Sequence, residues 1–158
     1  MKRNKNLIEL SRDHHHGLLL GWKIKQGFKR KVDLSEIADY IIHFANEALF
    51  SHFDEEENQV LIYLSKEDSF RKQVIAEHAE IKDLIKQISL NPLADTSAFL
   101  KLAEKLEAHI RFEERALFPH LENTLSEDQL EEIGSLITEV HKPYIETYAN
   151  EFWAGQLI

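Results

Sequence analysis

Apolar residues recur along this chain in alternating steps of three and four, the spacing that gathers side chains on one face of a helix. The first such stretch runs from about Asn6 to Phe28, through Leu7, Ile8, Leu10, Leu18, Leu19, Trp22 and Ile24, with Gly27 near its end. Asp33 and Glu36 resemble a capping box and predict a second helix through Ile37, Tyr40, Ile41, Phe44, Leu49, His52, Glu56, Gln59 and Tyr63. Ser65 and Asp68 can start a third, carrying Phe70, Val74, Ile75, His78, Ile81, Leu84, Ile85 and Ile88 until Asn91-Pro92 stops it.

Thr96, with Asp95 assisting, is placed to cap a fourth helix that holds Phe99, Leu102, Leu106, His109, Phe112, Glu113, Ala116 and Leu117 in phase before Pro119. Ser126 and Gln129 form a capping-box signature for a shorter fifth helix through Leu130, Ile133, Leu136, Ile137 and Val140. His141-Lys-Pro143 ends or kinks it. The aromatic tail Tyr144, Tyr148, Phe152 and Trp153 then packs on the bundle or on a partner. The expected fold is all-α: an up-down four-helix bundle over about residues 6–122, with an extra C-terminal helix and tail over about 126–158, all in one domain spanning 1–158.

Composition agrees with this reading. The 158 residues are 43% hydrophobic and 30% charged, with 5 Gly and 3 Pro, which suits helices and short loops better than a turn-rich sheet. A formal net charge of -9 argues against sequence-independent nucleic-acid binding, which needs a basic surface. The basic start, Met-Lys-Arg-Asn-Lys-Asn, lacks a following apolar signal core, and no run reaches the roughly 18 apolar residues of a membrane span. A soluble cytoplasmic protein with no membrane partner is expected. The absence of Cys excludes disulfides and thiolate metal sites, so any metal must be held by His, Asp and Glu.

That requirement directs attention to two matching pairs. His109 and Glu113 stand four residues apart on one helix, as do His52 and Glu56. A spacing of four leaves side chains roughly 40° apart and about 6 Å apart along the axis, within reach of one metal centre. Either pair alone is more often a solvated i,i+4 contact.

His78 is in phase with Val74, Ile81 and Ile85, and taken alone reads as a hydrogen-bonded core histidine. In the run His14-His15-His16 two stripes compete. Ile8, Ser11, His15, Leu18 and Trp22 put His15 inward, while Leu7, Leu10, His14 and Leu18 put His14 there; the first is preferred. His43 falls on the face opposite His52, and His120 lies three turns beyond His109, so neither joins them. His141 reads as a surface residue at a helix end.

The four helices therefore offer His15, then His52 with Glu56, then His78, then His109 with Glu113. The intervening segments are each long enough for half a helix, a turn and half a helix, which brings the set to mid-height in a bundle. Four imidazoles and two carboxylates are costly to bury without a compensating cation. Two carboxylates shared among four histidines suit a binuclear site; two irons lead, and zinc or manganese fit the same donors.

The motifs Asp13-His-His-His16, His52-Phe-x-x-Glu-Glu57, Glu77-His78-x-x-Ile81 and His109-x-x-x-Glu-Glu-x-x-Leu-Phe-Pro119 together resemble the hemerythrin and hemerythrin-like (HHE cation-binding) family. The resemblance implies that His15 or His14, His52, His78 and His109 are terminal iron ligands, and that Glu56 and Glu113 bridge two non-haem irons. Oxygen-carrying members have a further histidine one turn after the third-helix one, where this chain has Lys82. The departure aligns it with bacterial members that act in sensing, nitric-oxide or peroxide chemistry, or iron handling. The open position could be left free or be taken by His14, Glu55 or water.

The function expected is a di-iron protein that binds dioxygen or a related small molecule such as nitric oxide or peroxide. A di-iron enzyme or iron-donating repair protein supplied with electrons by a partner is the alternative. A metal-independent helical interaction module is the third.

Overall fold

The computed structural model describes residues 2–154; Met1 and the last four positions of the expected tail, 155–158, lie outside the described residues. Among those described there are five helices and no strand. Helix α1 is Ile8–Lys29, α2 covers residues 34–63, α3 is Ser69–Leu90, α4 covers 97–124, and α5 is Glu127–Val140. Helix α1 packs on α2 and α4, and α3 packs on the same two, so the four close into a square bundle. No described helix is long and apolar enough to cross a membrane.

The helix ends follow from local chemistry, with three departures from expectation. Asp33 makes no side-chain cap to α2, so the expected capping box is not formed. Asp68, and not Ser65, caps α3, accepting from the backbone N–H groups of Phe70 and Arg71 at 2.9 and 3.1 Å. At α4 the Thr96 hydroxyl makes no cap; Asp95 accepts from the Ser97 N–H at 3.0 Å instead. The capping box of α5 is present as expected, with Gln129 N–H on Ser126 Oγ at 3.1 Å and Ser126 N–H on Gln129 Oε1 at 3.0 Å.

Helix α4 also continues past Pro119 to Thr124. A π turn over Glu113–Leu117 precedes the proline, so the N–H that Pro119 lacks would have served the Glu114 carbonyl. The Arg3 guanidinium donates to that carbonyl at 2.7 Å and restores the pairing.

Two apolar clusters fill the bundle. One includes Leu20, Ile41, Phe44, Ile81, Phe99 and Leu102. The other includes Leu10, Leu61, Val74, Phe118, Leu121 and Ile133. The polar layer described below lies between them.

The face that α1 turns inward is Leu7, Leu10, His14, Gly17, Gly21 and Ile24, whereas Leu18 and Trp22 are 41% and 48% exposed. The glycines explain this choice. Gly21 lies against the Ala103 backbone, and a Cβ on Gly17 would meet Ile110 Cδ1 at 2.7 Å, so α1 and α4 approach more closely than a larger stripe would allow. Beyond α5, Tyr144, Tyr148, Phe152 and Trp153 lie back across the first cluster, on the bundle itself.

Candidate metal centre

Six buried polar side chains meet between the apolar clusters: His14 from α1, His52 and Glu56 from α2, His78 from α3, and His109 and Glu113 from α4. Glu113 is wholly buried and Glu56 is 1% exposed. Glu56 Oε1 lies 3.1 Å from His52 Nε2 and 3.3 Å from His78 Nε2. Glu113 Oε1 lies 2.6 Å from His109 Nε2 and 3.6 Å from His14 Nε2. The donors form two quartets, His14, His52, Glu56, Glu113 and Glu56, His78, His109, Glu113, each with its ligand atoms within 4.8 Å of one another. Both quartets contain both glutamates.

All four Nε2 atoms and all four carboxylate oxygens of these residues are buried without a hydrogen-bond partner. Native proteins pair the large majority of buried polar side-chain atoms, because leaving one unpaired costs about 1–3 kcal/mol. Eight converging on one point fit a metal cation, to which imidazole nitrogen and carboxylate oxygen are both good donors.

The opposite edge of three of the imidazoles is hydrogen-bonded to a second carboxylate, and that of His14 faces one. Nδ1 of His52 donates to Asp13 at 2.8 Å, Nδ1 of His78 to Glu57 at 2.7 Å, and Nδ1 of His109 to Glu77 at 2.7 Å. Nδ1 of His14 lies 3.3 Å from Glu114, which also accepts from the Ser11 hydroxyl. Each of these acids is the sequence neighbour of one ligand candidate but serves the histidine of the next helix, so the contacts run round the bundle from α1 to α2, α3, α4 and back. Because a carboxylate can only accept, Nδ1 carries the proton and the Nε2 lone pair is left for a metal. Phe53 stacks on His78 at 3.9 Å and Phe118 on His14 at 5.4 Å, which fixes two of the ring planes.

Without a cation, the imidazoles and carboxylates of the centre shift one another's ionisation. Burial alone would lower His109, but Glu113 and then Glu77 outweigh it and hold the imidazole at about 10. His52 is likewise raised well above its ordinary value, with burial opposed by Glu56 and Asp13. Burial would raise Glu113, yet His109, Glu56 and His14 keep it well below the usual carboxylate range.

Of the residues expected from sequence, His52, Glu56, His78, His109 and Glu113 are brought together and His15 is not. His15 is exposed on α1, and His14 stands in its place because the buried stripe runs through Gly17 and Gly21. Glu55 does not reach the centre either; it accepts from His141 at 2.9 Å. His43 lies against Tyr148 with the rings tilted by 45°, and His120 bonds Asp68, both away from the centre as expected. His141, expected at the surface, has a side chain only 6% exposed. Sequence reasoning missed the roles of Asp13, Glu57, Glu77 and Glu114; their adjacency to ligand candidates was the available signal.

A cavity of about 30 Å³ adjoins His14, His52, His109 and Glu113. Its walls include Phe44, Leu49, Phe53, Leu106 and Ile110, and the exposed Ser51 and Lys142 lie at its rim. At about 10–15 Å³ for one water, it has room for roughly two such molecules.

The fold and this centre define a helical-bundle protein with a buried cation-binding site. A family model, the Hemerythrin HHE cation binding domain, matches residues 6–121 and again residues 69–154, and the chain belongs to that family. The second match begins at Ser69, the first residue of α3. Comparison with curated proteins and with solved structures finds no significant match.

Proposed function

We propose that the chain is a non-haem di-iron protein that binds dioxygen, nitric oxide or peroxide for sensing, storage or protection. The observation that carries this reading is the pair of donor quartets sharing Glu56 and Glu113, which suits two ions bridged by two carboxylates. His14 and His52 would be the terminal ligands of one ion, and His78 and His109 those of the other. When bound, two ferrous ions would supply the electrons that such small oxidants accept.

The surrounding residues have separable tasks. Asp13, Glu57 and Glu77 hold the Nδ1 protons of their histidines and so aim each Nε2 inward. Phe44, Leu49, Leu106 and Ile110 give the adjoining cavity an apolar wall opposite its histidines and carboxylates, and its size supports a ligand of two or three atoms over an organic substrate.

The test is anaerobic iron loading followed by metal analysis and visible spectroscopy. About two irons per chain and an absorbance change on adding azide or air are expected. Less than one iron per chain, with no spectral response to either, would sink the reading.

A further inference from the structure

We propose that Tyr144 limits the metal centre to ligands of two or three atoms, acting as the plug of a strap, residues 141–146, that covers the adjoining cavity. The inference rests on the reading of the centre as a small-molecule site. Most walls of the cavity belong to the bundle, but His141, Lys142 and Tyr144 reach it from the chain that follows α5. The Tyr144 ring enters between α1 and α2, edge-on to His16 at 5.3 Å and to Phe44 at 5.1 Å, and its hydroxyl oxygen is buried.

The strap is fastened at two points. At one, His141 Nδ1 donates to Glu55 at 2.9 Å while Nε2 faces Asp13 at 3.2 Å. At the other, Glu146 accepts from Lys23 Nζ at 2.9 Å and from the Tyr40 hydroxyl. Between them Lys142, Pro143 and Ile145 are exposed. Among the described residues, Lys142 to Glu146 make no backbone–backbone hydrogen bond. Lifting this segment therefore breaks side-chain contacts and no helical ladder, and it can open locally while the bundle stays folded.

This construction selects by size. A ligand that fits the closed cavity of about 30 Å³ leaves Tyr144 and both fastenings in place. A larger one must hold Tyr144 out, and carries the cost of the broken contacts for as long as it stays bound. Its apparent affinity is reduced by the fraction of chains that are open.

Tyr144 is itself half-buried, with one side on the cavity. Trimming it to alanine removes the ring from between α1 and α2 and joins the cavity to solvent. Imidazole, a five-membered ring with a metal-binding nitrogen, should then reach the centre without lifting the strap. Tyr144→Phe keeps the ring and should keep the discrimination.

The test is titration of the cobalt-loaded full chain with azide and with imidazole, read in the visible spectrum of the ion, for wild type, Tyr144→Phe and Tyr144→Ala. Far-UV circular dichroism establishes folding. Azide should alter the wild-type spectrum, and imidazole should bind Tyr144→Ala about tenfold or more tighter than wild type or Tyr144→Phe. Equal imidazole affinity in wild type and folded Tyr144→Ala would overturn the inference. Should Tyr144→Ala fail to fold, Tyr144→Leu, which is smaller but apolar, decides in its place. The reading of the centre fails separately, and the inference with it, if the chain takes up no cobalt or if azide leaves the wild-type spectrum unchanged.

Discussion

Glu77 on α3 accepts a 2.7 Å hydrogen bond from Nδ1 of His109 on α4, and the imidazole in turn keeps the Glu77 carboxyl below its ordinary range despite partial burial. The contact sets the ring orientation across a helix–helix boundary. Glu77→Gln and Glu57→Gln should therefore each weaken metal binding by about 10–100-fold while leaving helix content unchanged. Competition against a chelator of known affinity measures this, and wild-type affinity in both variants would remove the assigned role.

His14 and His15 are neighbours with opposite environments, one buried in the centre and one exposed. His14→Ala should lower the metal content by about one ion per chain, whereas His15→Ala should keep it. Metal analysis of the two variants after identical loading separates them; the reverse pattern would restore His15 as the ligand.

The metal-free centre makes stability depend on pH with a defined sign. His109 is raised from 6.5 to about 10 on folding, so its contribution is complete below about 6.5 and is lost as pH rises through 10. Glu113 is depressed, so its contribution is present above 4.5 and is lost as pH falls. Chelator-treated protein should show a lower urea midpoint at pH 9 than at pH 6. Because a ligand histidine must give up its Nε2 proton, metal uptake at neutral pH should release protons, read by calorimetry in buffers of different ionisation enthalpy.

Metal bound only by the folded chain should stabilise it. At a free ion concentration one hundred times Kd the gain is about 2.7 kcal/mol, or roughly 5–10 °C in Tm for a chain of this size. Thermal melts before and after chelation test this. An unchanged Tm would favour the metal-independent interaction module.

Lys31 ends α1 with φ 57°, its N–H on the Phe28 carbonyl at 3.1 Å and the Val32 N–H on the Gly27 carbonyl at 2.9 Å. This left-handed cap geometry suits glycine, and a side chain there costs about 1–2 kcal/mol. Lys31→Gly should raise stability by about 1 kcal/mol in denaturant unfolding with no change in metal content.

The sequence by itself determined the helical stretches, the Ser126–Gln129 cap, and the paired His52/Glu56 and His109/Glu113 that expose the centre, because these depend on spacing within one helix. It also carried the family resemblance. The choice of His14 over His15 depended on how closely α1 approaches α4. Hydrophobic periodicity registers Leu18 and Trp22, which are exposed, and is silent on Gly17 and Gly21, which are buried because they are small. The same limit hid the carboxylates: Asp13 belongs to α1 in sequence but holds a histidine of α2, and Glu77 belongs to α3 but holds one of α4. His141 was legible only as a helix-ending residue, since its partners Asp13 and Glu55 lie far away along the chain. Contacts between helices are fixed by packing distance and rotation, and local spacing contains neither; only the tertiary structure decided them.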